Sequence, residues 1–290
     1  MNVNNSSVML VDGMALLFRA YYATAYSGYI RRTSEGLPVN AIYGFVRYFA
    51  DAVRTFGPSH VVCCWDMGSR TFRSEQYVDY KANRPEAPED LVPQFSMIKE
   101  VVECFGVPNL GIEGYEADDC IGTLAHTYSQ DMDVYILTGD HDMLQLITEK
   151  TKVIIMKKGH SNYRVYDLAA LYEEKQLTPR QIIDLKGLIG DPSDNYPGVK
   201  GIGEKTALKL LTEYESIEGI LDNLAGLPKG VRTKIELDQE MLHLSRQLAT
   251  IKCDVPLQCS LESSIWRPDL SRIRAKFEEL EMETLVKQIS

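Results

Sequence analysis

Val8-Met9-Leu10-Val11-Asp12-Gly13 decides the fold. Four consecutive apolar residues run into an aspartate and a glycine. So short an unbroken run suits a strand covered on both faces, since a strand with one wet face alternates. Val61–Trp65 and Val134–Leu137 read the same way, and Val153–Met156 joins them. Between them, apolar residues recur at helical spacing. Ala41–Thr55 carries Ile42, Phe45, Val46 and Phe49, Val92–Phe105 carries Phe95, Ile98, Val101 and Val102, and Ala117–Tyr128 carries Cys120, Ile121 and Leu124. Strands alternating with helices predict an α/β fold over residues 1–178, with a mostly parallel central sheet flanked by helices.

Two segments depart from this rhythm. Residues 68–91 are polar, with prolines at 85 and 88, and read as a long mobile insertion over the sheet edge, helical at most in part. From Thr178-Pro179 onward the strands give way to helices and glycine-rich turns, so 179–290 is expected to be a helical subdomain. Composition agrees with a globular chain: 290 residues, 44% hydrophobic and 25% charged. That excludes collagen, a simple coiled coil and wholesale disorder. No apolar run approaches the roughly 20 residues that cross a bilayer, and the start has no basic signal-peptide region. Six cysteines without CxxC or metal-type spacing fit a reduced, cytoplasmic protein.

The acids are more informative. Each of the first three strands delivers carboxylates at its end: Asp12, then Asp66, then Asp140 with Asp142. Ligands of open α/β sheets bind at the carboxyl ends of the strands, so these converge. Tyr115-Glu116-Ala117-Asp118-Asp119 opens a helix. Glu116 and Asp119 are three apart and share a face, whereas Asp118 points elsewhere on an ideal helix. Gly190-Asp191-Pro192-Ser193-Asp194 adds two more. Any one of these alone reads as a turn or helix cap. Nine together would repel or protonate unless bound cations held them. All-oxygen ligands select Mg²⁺ or Mn²⁺, and so acidic a site suits two ions that activate water for phosphodiester hydrolysis. These nine charges account for nearly all of the net −10, so the acidity does not exclude nucleic acid elsewhere on the surface.

Gly198-Val199-Lys200-Gly201-Ile202-Gly203-Glu204-Lys205-Thr206 is the second signal. Glycines allow close backbone approach, and a helix starting near Glu204 offers its amide end to a phosphate. Lys200 and Lys205 add charge. Glu204 interrupts the Gly-Lys pair of a Walker loop and no strand precedes it, so a helix–hairpin–helix reading a nucleic-acid backbone fits better. In the insertion, Arg70, Arg73, Lys81 and Arg84 interleave with Phe72, Tyr77 and Tyr80, a pattern suited to single-stranded nucleic acid. Arg19 with Tyr21 and Tyr22 is similar.

Taken in order, DGMALLFRAYYA, TFRSEQYVDYKANRPEAPEDL, GYEADDCIGTLA, TGDHDMLQL and GDPSDNYPGVKGIGEKTA resemble the successive motifs of the bacterial 5′ nucleases. This family includes the 5′→3′ exonuclease domain of DNA polymerase I and free-standing flap endonucleases; the chain, ending without a polymerase, resembles the free-standing form. The resemblance implies a PIN-like nuclease core, a helical arch and a helix–three-turn–helix element. It implies metal-dependent cleavage at 5′ flaps and nicked or gapped duplexes, and at RNA–DNA primer junctions, by a cytoplasmic monomer with no membrane association, serving replication and repair. It implies that Asp12, Asp66, Glu116, Asp118, Asp119 and Asp140 surround a first Mg²⁺ or Mn²⁺, and that Asp140, Asp142, Asp191 and Asp194 hold a second. Lys81 and Arg84 would act on the scissile phosphate. Arg19, Tyr22, Arg73 and Tyr80 would contact DNA, and Val199 and Ile202 would hold K⁺ beside the duplex. Two rivals remain: a PIN-like metal-dependent ribonuclease, against which the hairpin and chain length argue, and a non-catalytic module that binds DNA junctions.

Overall fold

The computed structural model describes residues 6–26 and 28–286. Six strands form one sheet: β1 Ser7–Asp12, β2 His60–Cys64, β3 Asn109–Leu110, β4 Asp133–Thr138, β5 Thr151–Met156 and β6 Tyr163–Tyr166. Their spatial order is β3-β2-β1-β4-β5-β6; the first five are parallel and β6 runs antiparallel to β5. The helices are α1 Gly13–Ala25, α2 Asn40–Phe56, α3 Phe72–Gln76, α4 Gln94–Cys104, α5 Ala117–Tyr128, α6 Leu168–Lys175, α7 Pro179–Ile189, α8 Glu204–Tyr214, α9 Ile217–Asp222, α10 Lys229–Leu237, α11 Gln239–Ala249 and α12 Leu270–Glu279. The expected α/β class with a mostly parallel sheet is what the chain adopts.

Both faces of the sheet are buried, which is why its strands read as continuous apolar runs. Val8, Leu10, Val62 and Ile136 point to one face, Met9, Val11, Val61 and Leu137 to the other. The first face packs against α5 and runs without a break into the helical part through Leu188, Val199, Leu211 and Leu242. The second is covered by α1, α2 and α4. The α1 helix escaped the periodicity reading because Met14 through Tyr21 leaves little polar face. Asp12 starts it, accepting the Ala15 N–H at 2.9 Å.

Two expectations need correction. The 68–91 insertion is tied down rather than free over the sheet edge: α3 is its one helix, and the turns after it are fastened to the 190s loop. Lys81 N–H donates to the Asp194 carbonyl (2.9 Å), the Asn83 amide to the Pro192 carbonyl (3.0 Å), and the Asn195 amide to the Asp79 carbonyl (2.7 Å). Polar groups that look solvated in sequence are used up across the chain. The helical unit also does not extend to the C-terminus. Trp266 N–H bonds the Ser59 carbonyl (2.9 Å), and Ile273 and Phe277 of α12 join the core cluster of α2 and α4. The apolar stripe of α12 fills the flank of the N-terminal unit, so this stretch packs with 1–178 in space.

The 190s loop depends on two glycines. Gly190 and Gly198 have φ of 72° and 64°, in the left-handed region. A Cβ on Gly198 would lie 2.2 Å from the Gly190 nitrogen, so the two arms of the loop touch backbone to backbone. That contact carries Asp191 and Asp194 back toward the sheet.

Candidate active site

Strand order β2-β1-β4 sets the ends of three acid-bearing strands side by side. Asp12 is almost fully buried at the end of β1. Its second oxygen accepts the Thr138 hydroxyl (2.7 Å), and that same hydroxyl oxygen accepts the Asp140 N–H (3.0 Å). Asp66 accepts the Ala117 N–H at 2.7 Å, tying the end of β2 to the start of α5. Burial pushes the Asp12 carboxyl up to about 6, against the two bonds it accepts, and the charges of Asp66 and Asp140 add to the rise. Burial likewise drives Asp118 well above the ordinary range, with Asp12, Asp140 and Glu116 as the neighbouring charges. Asp142 rises to about 6 through burial and Asp140, although Lys186 opposes it.

The start of α5 reverses the helical-wheel expectation. Asp118 is the member that meets the Asp12 and Asp140 charges, because Glu116 is the N-cap and Ala117 begins the helix. Asp119 turns away and is fully buried. It closes a capping box with the Glu116 N–H (3.1 Å), accepts the Lys252 N–H (2.9 Å), and takes two bonds from Arg73 at 2.7 and 2.8 Å. Both oxygens are therefore engaged by protein donors, and in this structure Asp119 anchors Arg73 and the start of α5. Arg73, expected to contact DNA, is corrected. Its side chain is 2% exposed and also donates to the Leu248 and Thr250 carbonyls, at 2.9 and 2.8 Å. Arg73 thus joins α3, α5 and the end of α11.

The remaining acids come in bridged pairs. Lys186 of α7 reaches Asp142 at 2.8 Å and also bonds Asp191. Lys81 pairs with Glu116 at 2.6 Å and lies 3.9 Å from Asp194, while Arg84 pairs with Asp194 at 2.6 Å. The Tyr80 hydroxyl lies within hydrogen-bond distance of both Glu116 (3.2 Å) and Asp194 (3.1 Å) and shares its one proton between them. Tyr80 is itself buried, so its expected DNA contact is corrected: the ring packs by Tyr196 and the hydroxyl links two carboxylates. Glu116, Asp118, Asp191 and Asp194 do meet the Asp12, Asp66, Asp140 and Asp142 edge. Among the described residues, however, no three acids, histidines or cysteines form a ready metal cage. Lysine and arginine bridge the outer acids, Glu116 with Asp194 and Asp142 with Asp191, whereas among the described residues Asp12, Asp66, Asp118 and Asp140 have no ion-pair partner. Lys186 was missed because nothing local marks it; its partners come from β4's exit and the 190s loop.

Elsewhere the surface residues fall as follows. Arg70 is exposed beside Glu75 (3.1 Å), and Tyr22 is half exposed next to Phe18. Arg19 donates to the Lys157 carbonyl. In the hairpin, Lys200, Gly201, Gly203 and Lys205 are exposed, and α8 begins at Gly203 with no side-chain cap over its amides. Gly198 is buried against Gly190, which corrects its expected DNA contact. The Val199 and Ile202 side chains are in the core, and the Val199 carbonyl accepts the Ile202 N–H at 3.0 Å. Lys234 donates to the Gly201 carbonyl at 2.9 Å.

Comparison with known proteins agrees with this architecture. The model of a 5′–3′ exonuclease N-terminal, resolvase-like domain matches residues 7–176, and that of a 5′–3′ exonuclease C-terminal SAM fold matches residues 177–271. A 5′–3′ exonuclease of Bacillus subtilis (strain 168) is 51% identical over 264 residues, 91% of this chain and 89% of that protein. DNA polymerase I of Chloroflexus aurantiacus is 42% identical over 279 residues, 94% of this chain but 29% of that longer protein. Among solved structures, a complex of the bacteriophage T5 D15 flap endonuclease with DNA and metal ions superposes with a TM-score of 0.69. It is 23% identical and covers 98% of this chain and 97% of its own. At that identity it shows the shared fold.

Two outcomes follow from the geometry. Arg73→Met leaves the buried Asp119 charge without its partner, so chemical denaturation should register a loss of about 3–5 kcal/mol; a loss below about 1 kcal/mol would show the strut to be dispensable. The raised Asp12 and Asp142 carboxyls bind protons more tightly folded than unfolded, so their contribution is full below about pH 4 and is lost as pH rises through about 6. In EDTA, Asp12→Asn should therefore melt at a higher temperature than the parent protein at pH 7.5, a gain of about 3 kcal/mol, and not at pH 4. Equal melting at both pH values would mean that Asp12 is not strained by its neighbours.

Proposed function

Because the chain belongs to the 5′–3′ exonuclease family, whose members are nucleases, we propose that it cuts 5′-ended strands where single strand meets duplex, as flap endonuclease and 5′→3′ exonuclease. The observation that carries this is the meeting of eight carboxylates at the carboxyl edge of β2, β1 and β4. The donors are all oxygen, and burial with mutual repulsion raises three of them, which is the chemistry that hard divalent cations relieve. Asp12, Asp66, Glu116, Asp118 and Asp140 would hold a first Mg²⁺ or Mn²⁺, and Asp140, Asp142, Asp191 and Asp194 a second. Such ions, when bound, activate water and stabilise a leaving oxygen.

The chain's own residues do the rest. Lys81 and Arg84, now lying on Glu116 and Asp194, are the cations free to turn toward a substrate phosphate and offset its growing charge. Lys186 keeps Asp142 and Asp191 together while the site is empty of substrate. The exposed hairpin at 200–205, with open helix amides and two lysines, would grip a duplex backbone without reading sequence. In this reading the Val199 and Ile202 carbonyls are the K⁺ ligands. Arg70, Arg19 and Tyr22 remain exposed or rim positions for the single strand. The enzyme would work as a cytoplasmic monomer on flaps, nicks, gaps and RNA–DNA primer junctions in replication and repair. Among the described residues, no helix is long and apolar enough to cross a membrane.

A flap duplex labelled at its 5′ end tests the reading. With Mg²⁺ the protein should release the flap near the junction, EDTA should stop it, and Asp140→Asn should abolish cutting while still shifting the DNA in Ca²⁺. Lys81→Ala should slow turnover by about 10²–10³. Intact DNA with bound protein in Mg²⁺ would instead identify a junction-binding module, and preferential cutting of single-stranded RNA a ribonuclease.

A further inference from the structure

A separate cavity of about 770 Å³ lies between α1, α2 and the turn that joins β5 to β6. That turn leaves the carboxyl end of β5, two strands along from β1, so the cavity opens at the same end of the sheet as the acids. Its charge is the reverse of theirs. Arg19, Arg47, Lys158 and His160 line it, and none of its described lining residues is Asp or Glu. The neighbouring carboxylate, Asp51, is already engaged by Arg54 (2.6 Å) and the Tyr163 hydroxyl (2.7 Å).

Two further features narrow the ligand. Among the described residues the Nε groups of Arg19 and Arg47 are buried with no acceptor, while another nitrogen of the Arg19 guanidinium donates to the Lys157 carbonyl. Buried guanidinium donors call for an acceptor, and an anionic oxygen satisfies them best. The walls are also aromatic: Tyr48 stacks on His160 with ring centres 5.9 Å apart, the Arg19 guanidinium lies 5.7 Å over the Tyr48 ring, and three more tyrosines line the space. A bare phosphate would use the cations and leave the rings and most of the volume idle. Sites of roughly 300–1,000 Å³ take a whole small molecule.

We propose that this cavity binds a 5′-phosphorylated nucleotide, with the guanidinium groups on the phosphate and a tyrosine face under the base. The same chemistry has two sources, a free mononucleotide or the terminal nucleotide of a strand leaving the acidic edge. The choice of a nucleic-acid ligand rests on the nuclease reading above; the binding itself needs neither metal nor cleavage.

Calorimetry in EDTA tests it with four ligands: 5′-dTMP, thymidine, inorganic phosphate and a 5′-phosphorylated oligothymidylate. The parent protein should bind 5′-dTMP or the phosphorylated oligonucleotide at least about tenfold more tightly than thymidine or phosphate. Arg47→Ala should weaken that binding by about tenfold or more. Lys158→Glu, on the exposed turn, should do the same and decides the matter if Arg47→Ala does not fold. Preference for the oligonucleotide over 5′-dTMP assigns the site to a strand end, and equal or tighter 5′-dTMP binding assigns it to free nucleotide; both support the proposal. Equal binding of phosphate and 5′-dTMP, no binding by the parent protein, or binding unchanged in the folded variants overturns it. Since cleavage of flap DNA in Mg²⁺ is read separately, loss of one conclusion does not carry the other.

Discussion

Acids crowded at one sheet edge must be neutralised, and the rest of this structure is arranged around that need. At an effective dielectric near 20, two carboxylates about 4 Å apart repel by roughly 4 kcal/mol. Hydrogen bonds absorb part of this: Thr138 and the Ala15 amide at Asp12, the Ala117 amide at Asp66. Tethered cations absorb more. Lys186 stands between Asp142 and Asp191, and Lys81 and Arg84 stand on Glu116 and Asp194. These are half-buried or exposed ammonium and guanidinium groups on flexible stems, which can leave. Arg73 differs. Sealed from water, with four acceptors at 2.7–2.9 Å, it is a permanent fastening of insertion, α5 and α11.

The tertiary layout follows from the same edge. The 190s loop must fold back to bring Asp191 and Asp194 to β4's exit, and the crossing of Gly190 and Gly198 is what permits it. The insertion then closes over that loop by backbone and amide bonds, which places Lys81 between Glu116 and Asp194. On the far side of α1 the surface changes sign, and the cavity beside β5 gathers cations and rings. One end of the sheet thus presents an acidic edge and a basic recess side by side.

The strands β1, β2, β4 and β5, the helices α2, α4, α5 and α8, and the acid-bearing ends of β1, β2 and β4 were legible because each is encoded locally. Buried parallel strands are continuous apolar runs, and a strand-end aspartate sits next to its strand. What failed was everything set by distant partners. Asp118 and Asp119 are adjacent in sequence, and only the position of the N-cap decides which one meets Asp12. Arg73 and Tyr80 look like surface residues of a polar loop, yet their partners lie at 116–119, 194 and 248–250. Lys186 carries no motif at all. The two-residue β3 and the polar β6 gave no apolar run, and α12 gave no hint that it returns to the first unit.

Crystals grown with Mn²⁺, with anomalous scattering recorded near the manganese edge, test the central claim most directly. The expected map has manganese among Asp12, Asp66, Asp118 and Asp140, Lys186 withdrawn from Asp142 and Asp191, and Arg73 still on Asp119. A map with no manganese at this edge, or with the ion on Asp119 and Arg73 displaced, would contradict it.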